Sequence, residues 1–168
     1  ISATPGTKRS GWVEICKNAD GTTVSLPIII VNGSNDGPVM LMDACIHGNE
    51  YEGALVALKM VDILDPRKLS GAFIAVPALN PIGFDLRLRG NPWDLMYLDM
   101  NRFFPGRADS FSLTERILYA YWNEVLLKAN YVISLHGGGG MECAFVPRVI
   151  MQEELGPKRL FVKESLEM

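Results

Sequence analysis

Residues 39–46, Val-Met-Leu-Met-Asp-Ala-Cys-Ile, form a nearly continuous apolar run that stops at His47. Glu50 follows three residues later, and Gly53 opens a second apolar run, Ala54 to Leu64, of helical length. The first run reads as a strand buried on both faces. A buried strand that turns through a polar corner into a helix points to an α/β architecture. In such folds ligands sit just beyond the carboxyl ends of strands. His47 and Glu50 occupy that corner and are of types that bind metal ions. A capped corner would use them differently, with Glu50 favouring the positive helix N-terminus and His47 bonding to backbone. The corner alone does not choose between these uses.

Trp12 to Cys16 reads as a first strand, after an irregular lead-in over residues 1–10. Asn18 to Gly21 reads as a turn and Thr22 to Val31 as the returning strand, an edge hairpin in which Pro27 is tolerated. Asn32 to Pro38 is a turn cluster. In the helix after Gly53, Leu55, Leu58, Val61 and Ile63 are assigned to the apolar side, and Asp65-Pro66 ends it. Ala72 to Ala78 is the next buried strand. Asn80 to Leu113 has no clear period; its length and its aromatic residues (Phe84, Trp93, Tyr97, Phe103, Phe104) predict an ordered loop folded over a site. Ser112 and Glu115 form a capping box. The helix they open runs to about Ala129, with Ile117, Ala120, Tyr121, Val125 and Leu126 at helical spacing. Tyr131 to Leu135 is another buried strand, ending in His136 and four glycines, Gly137 to Gly140. Ala144 to Pro147 suggests a short strand, and residues 150–168, divided by Pro157, leave room for a final helix.

The chain has only two histidines, His47 and His136, and both are expected to end a buried strand. Adjacent strands ending at one sheet edge would bring them together. With Glu50 they make a His, Glu, His set, the composition of a catalytic zinc site that keeps one position open for water. Other divalent ions suit such ligands too. The glycines after His136 allow close approach of substrate or a second loop. In the long loop, Arg89 and Asp99-Met100-Asn101-Arg102 bring guanidinium forks and an amide. These suit a substrate carboxylate and a polarised carbonyl. Spacing does not decide between Arg87 and Arg89, and a surface loop with solvated arginines is the plain alternative.

Composition narrows the partners. A net charge of −3 gives no reason to expect nucleic acid or an anionic membrane. No apolar run is long enough to span a bilayer. Three scattered cysteines, Cys16, Cys45 and Cys143, argue against a disulfide framework and for a reducing cytoplasm. The start at Ile1 shows no secretory leader and lacks an initiator Met. Homo-oligomerisation through the N-terminal edge hairpin is left open.

Several motifs recur in order. They are His47-Gly48-Asn49-Glu50-Tyr51-Glu52-Gly53; Asn80-Pro81 with Gly83-Phe84; Arg89 with Pro92 and Asp94; Asp99-Met100-Asn101-Arg102-Phe103-Phe104-Pro105-Gly106; and Ser134-Leu135-His136-Gly137-Gly138. In this order they resemble the succinylglutamate desuccinylase/aspartoacylase family, relatives of the zinc carboxypeptidases. The resemblance covers residues 11 to about 147. It implies a three-layer α/β sandwich with a mixed, mostly parallel central sheet and helices on both faces. It implies one zinc ion held by His47, Glu50 and His136. It also implies carbonyl recognition by Arg89 as the catalytic arginine, and carboxylate binding by Asn101 and Arg102. The family's general-base glutamate lies well downstream of its second histidine. Glu142, Glu153, Glu154, Glu164 and Glu167 follow His136, but none sits in a matching context. Residues 1–168 are therefore expected to be a single zinc-hydrolase-like catalytic domain, incomplete at the C-terminus, with the base and a C-terminal β portion beyond residue 168.

The function implied is zinc-dependent hydrolysis of the amide bond of an N-acyl amino acid, a small-molecule substrate bearing a carboxylate. Metallocarboxypeptidase activity shares the same zinc and arginine logic. A zinc- or carboxylate-binding domain without turnover is the reading from another class.

Overall fold

The structure is a computed structural model that describes residues 1–18, 20–94 and 98–139. Among the described residues five strands make one sheet: β1 (Thr7–Lys17), β2 (Thr23–Asn32), β3 (Asn35–Ala44), β4 (Ser70–Val76) and β5 (Tyr131–Leu135). Their spatial order is β1-β2-β4-β3-β5. The sheet is mixed, as expected. β3 runs parallel to both β4 and β5, and the β1–β2 and β2–β4 pairings are antiparallel. The strand that leads to His47 thus lies between the other two parallel strands, one of which leads to His136.

Among the described residues three α-helices accompany the sheet: α1 (Glu52–Ile63), α2 (Pro81–Leu86) and α3 (Leu113–Glu124). Successive strand residues point to opposite sheet faces. α3 contributes Ile117, Leu118 and Tyr121 to a cluster with Leu41, Ile74 and Val76. α1 contributes Ala57 and Val61 to a cluster with Met42, Phe73 and Ala75, the residues of opposite parity. The two long helices therefore pack on opposite faces. No helix of the described residues is long and apolar enough to cross a membrane.

The edge hairpin forms, and it is longer than expected. β1 begins at Thr7, within the segment read as irregular, because residues 7–10 pair with Ile29 to Asn32. Pro27 pairs with Trp12 on one side, while β2 meets β4 only from Ile29 onward, so its missing N–H breaks no ladder there. β3 begins at Asn35 with an irregular register before Val39, inside the expected turn cluster. β4 stops at Val76, short of the expected Ala78, where Pro77 can donate no hydrogen bond.

α1 follows the expected run but buries a different side. Its buried residues are Gly53, Ala54, Ala57 and Val61, whereas Leu55, Leu58 and Ile63 are exposed. Small residues set this stripe. A Cβ on Gly53 would lie 2.8 Å from the Leu135 Cβ, so α1 rides directly on the sheet and turns its leucines outward. Within the long loop, Asn80 caps α2 by accepting from the Gly83 N–H at 3.0 Å, and a 3-10 turn spans Met100–Arg102.

α3 starts as expected, with Ser112 accepting from the Glu115 N–H. The box is not reciprocal: the Glu115 carboxylate turns to Arg107 and Ser110, and Asp94 takes the Leu113 and Thr114 N–H groups instead. α3 ends at Glu124, before the expected Ala129, and a 3-10 turn covers Leu126–Lys128. β5 has the expected bounds but is not buried. Tyr131 and Ser134 are exposed, because among the described residues β5 pairs only with β3 and lies at the sheet edge. Cys143, the strand expected at Ala144 to Pro147 and the final helix lie outside the described residues, as do the downstream glutamates.

Candidate metal centre

The strand that leads to His47 ends earlier than expected, at Ala44. Cys45 then adopts the left-handed conformation, with φ 53°, and swings the chain out of the sheet. The corner is fastened to the end of β4 by the Leu79 and Asn80 N–H groups, which donate to the Ala44 and Cys45 carbonyls at 2.9 and 3.0 Å. The Cys45 thiol, pushed up to about 11 by burial, donates to the Glu50 carbonyl at 3.1 Å. Gly48 donates to the Arg89 carbonyl at 3.1 Å. A Cβ there would sit 2.1 Å from the Gly83 carbonyl carbon, so only glycine lets α2 press against the corner.

The two histidines meet. Their ring centroids are 4.9 Å apart. Glu50 stands between them: its Oε1 is 2.9 Å from His47 Nδ1 and its Oε2 is 2.9 Å from His136 Nδ1. One nitrogen from each ring and one Glu50 oxygen lie within 4.8 Å of one another. His47 and Glu50 are 3 % and 4 % exposed, while His136 opens to solvent, so the set has a dry floor and an open side. Gly137 closes the corner from β5: its N–H donates to Glu50 Oε2 at 3.0 Å, and a Cβ on it would strike the Glu52 carboxylate.

Charge follows this geometry. Burial alone would raise the Glu50 carboxyl. Hydrogen bonds from His136, His47 and the Gly137 N–H outweigh it and hold the group well below the usual carboxylate range. The hydrogen bond to Glu50 raises His136 against the opposing effect of burial. Asp99, whose desolvation is overcome by His47, the Asn101 N–H and Arg89, is held low as well. The site therefore keeps two carboxylates ionised beside two imidazoles, a donor set suited to a divalent cation.

Arg89 stands over this set. Its Nη1 lies 3.3 Å from Glu50 Oε1 and its Nη2 lies 3.3 Å from Asp99 Oδ2. Arg87 does not join it. It is the left-handed residue that ends α2, with φ 58°. Asn101 and Arg102 lie in the turn that Asp99 opens, and both are exposed. Among the hydrogen bonds of the described residues, Arg102 donates to the Asn101 carbonyl and not to the His–Glu–His cluster. Asp99 is the site residue that the sequence signalled least clearly. In the sequence it stands only as part of the arginine loop, yet it bonds His47 Nε2 at 2.9 Å. Asp43 was likewise passed over, although an acidic residue inside an apolar strand is itself a signal.

The architecture defines the class first. The fold is carboxypeptidase-like: a carboxypeptidase A from Helicoverpa armigera superposes with a TM-score of 0.53 over 79% of this chain and 41% of its own, at 17% identity. The chain belongs to the succinylglutamate desuccinylase/aspartoacylase family, whose catalytic-domain model matches residues 36–158. It is 32% identical over 116 residues to an N-alpha-acetyl-L-2,4-diaminobutyric acid deacetylase from Halomonas elongata, covering 69% of this chain and 33% of that one. The crystal structure of an aspartoacylase family protein from Mesorhizobium loti superposes with a TM-score of 0.70 at 34% identity, covering 80% of this chain and 41% of the other. The chain thus spans about a third of the length of that deacetylase.

Proposed function

We propose that this chain carries the zinc-binding part of an amidohydrolase acting on an N-acyl amino acid. The observation that carries the reading is the convergence of His47, Glu50 and His136, whose ligand atoms lie within 4.8 Å of one another at adjacent strand ends. The donor set fits zinc: two imidazole nitrogens and one carboxylate oxygen leave a fourth, solvent-facing position. Bound there, the ion would supply Lewis-acid polarisation of a carbonyl and activation of a water molecule.

The protein's own groups do the rest. Asp99 orients His47 from behind through Nε2, leaving Nδ1 for the ligand position. Arg89 aims fixed N–H donors at the side where a tetrahedral intermediate would gather negative charge. Its present partners, Glu50 and Asp99, hold it over the cluster. Asn101 and Arg102, tethered to the site by Asp99, anchor the carboxylate of the amino-acid portion. Glu50 serves as a ligand and Asp99 as an orienting group, so neither is assigned as proton acceptor for the attacking water. The deacetylase relative and the family model support an acyl-amino-acid substrate over a peptide C-terminus.

The test is metal content followed by turnover. Protein purified without chelator is expected to hold near-stoichiometric zinc, lost in His47→Ala, and the full-length protein is expected to release amino acid from N-acetyl or N-succinyl substrates. A well-folded wild type without zinc would sink the reading. Zinc binding without turnover of any N-acyl amino acid by the full-length protein would favour a non-catalytic binding domain.

A further inference from the structure

Asp43 is 3 % exposed and sits in β3 among Leu41, Met42, Ala44 and Cys45, all apolar. It lies directly opposite Ser134 in the parallel β3–β5 pairing. Its Oδ1 accepts from the Ser134 hydroxyl at 2.6 Å and its Oδ2 from the Tyr121 hydroxyl of α3 at 2.7 Å. One carboxylate therefore ties together the two strands that lead to the histidines and the helix that covers that face. Ser134 is two residues before His136, and Asp43 four before His47. β5 is an edge strand among the described residues and contributes little buried surface of its own, so this tie fixes its register and its end.

Fastening strands does not require a charge. An asparagine could bridge the same two hydroxyls, its oxygen accepting from one and its amide donating to the other, without the desolvation that a buried carboxylate suffers. Both hydrogen-bond partners of Asp43 are neutral hydroxyls, and burial pushes its carboxyl up from the ordinary aspartate value, against those two bonds and the charge of nearby His136. In the metal-free protein this group is a cost. A divalent cation at His47, Glu50 and His136 reverses the balance, since Glu50 offsets only one of its two positive charges.

We propose that Asp43 is a positioning residue of the metal centre. It holds His136 in place through Ser134 and supplies the buried negative charge that becomes favourable once a cation is bound. This rests on the metal-site reading above. It differs from the role of Asp99, which touches a histidine directly, because Asp43 acts through a strand and through charge.

The test compares wild type, Asp43→Asn and Ser134→Ala by zinc competition against a chromophoric chelator, with urea unfolding of each metal-free protein alongside. The asparagine keeps both hydroxyl contacts, because one hydroxyl can turn to accept. Zinc affinity is expected to fall ten- to a hundredfold in Asp43→Asn, the range seen when groups behind metal ligands are altered. Its metal-free urea midpoint is expected to stay level or rise. A merely structural role would move the two readouts the other way. An affinity loss below tenfold overturns the proposal, whatever the midpoint. Should Asp43→Asn fail to fold, Ser134→Ala decides: clearly weaker zinc binding supports the proposal and wild-type affinity overturns it. Zinc binding that is equal in wild type and Asp43→Asn refutes only this inference, whereas a wild type with no zinc affinity refutes the metal site itself.

Discussion

His47 Nε2 lies 2.9 Å from Asp99 Oδ1, although 52 residues separate them. This bond decides which face of the imidazole is offered to the cluster. With Nε2 committed to Asp99, Nδ1 points at Glu50. A ring without that partner would sample both orientations. Asp99→Ala, which removes the acceptor that an asparagine would keep, is therefore expected to weaken zinc binding about ten- to a hundredfold while leaving the fold intact. His47→Ala should abolish binding. Isothermal titration with zinc measures both, and wild-type affinity in Asp99→Ala would show that the bond does no orienting.

Arg87 and Arg89 were indistinguishable by spacing and are separated by backbone conformation. Arg87 holds φ 58° at the end of α2, where glycine is the low-cost residue. Arg87→Gly relieves left-handed strain but frees the unfolded chain; it is expected to raise stability by at most about 1 kcal/mol and leave zinc and substrate binding unchanged. Arg89→Ala is expected to lower turnover of the full-length enzyme without lowering zinc content. Urea midpoints and steady-state kinetics on the pair of variants check this, and equal kinetic effects would reassign the roles.

Gly48→Ala probes the contact between corner and α2. The added methyl would meet the Gly83 carbonyl carbon at 2.1 Å and the Phe84 nitrogen at 2.3 Å, both backbone atoms that cannot rotate away. Overpacking of this kind costs about 1–3 kcal/mol. The loop carrying Arg89 should shift with α2. A urea midpoint equal to wild type would mean that the corner has slack.

Asp94 caps α3 from a loop 18 residues before Ser112. Its carboxylate accepts from the Leu113 N–H at 2.7 Å, the Thr114 N–H at 2.8 Å and the Ser112 hydroxyl. Asp94→Ala leaves those donors unpaired at a partly buried helix start and is expected to cost about 1–2 kcal/mol. Ser112→Ala should cost less, since Ser112 accepts a single bond from Glu115. Chemical denaturation of both variants gives the ranking, and the reverse order would make Ser112 the principal cap.

The pH dependence of the metal-free protein separates two carboxylates by sign. Asp43 has its carboxyl raised on folding, so the native state holds that proton more tightly than the unfolded chain does. Its contribution is most favourable below the unfolded value and declines as pH rises toward the folded one. Glu50 is depressed instead, so its contribution is present above the unfolded value and is lost on acidification. Subtracting Asp43→Asn from wild type cancels Glu50. The stability of wild type relative to the mutant is expected to fall as pH rises through and above the carboxylate range. A difference that rises with pH would show that the native state prefers the ionised form.

Much of this was legible in the chain itself. Alternating buried runs and helical runs gave an α/β sheet, and β5 was bounded to the residue, because a short β-branched stretch between polar ends has few other uses. The convergence of His47, Glu50 and His136 was legible as a candidate for chemical reasons: two histidines and a glutamate at strand ends are scarce enough to stand out. What the sequence ranked wrongly was burial. Leu55, Leu58 and Ile63 are more hydrophobic than Ala54 and Ala57, yet the small residues face the sheet. Residue type measures affinity for an apolar environment, whereas packing distance selects for size.

Other features depend on contacts between distant segments and could only be decided by the fold. The Ser112 N–H that Glu115 would take in the expected capping box goes to Ser110 Oγ, and Asp94 from a remote loop takes the Leu113 and Thr114 N–H groups. Asp43 looked like an interruption in an apolar strand until Ser134 and Tyr121 met it from 91 and 78 residues away. The sequence by itself determined the composition of the His–Glu–His cluster, the strand–corner–helix unit and the family, all written in short stretches or in ordered motifs. Tertiary structure alone decided which arginine faces that cluster, which carboxylate bonds His47 Nε2 and which face of α1 is buried. Each of those depends on distances between segments that local propensity does not encode.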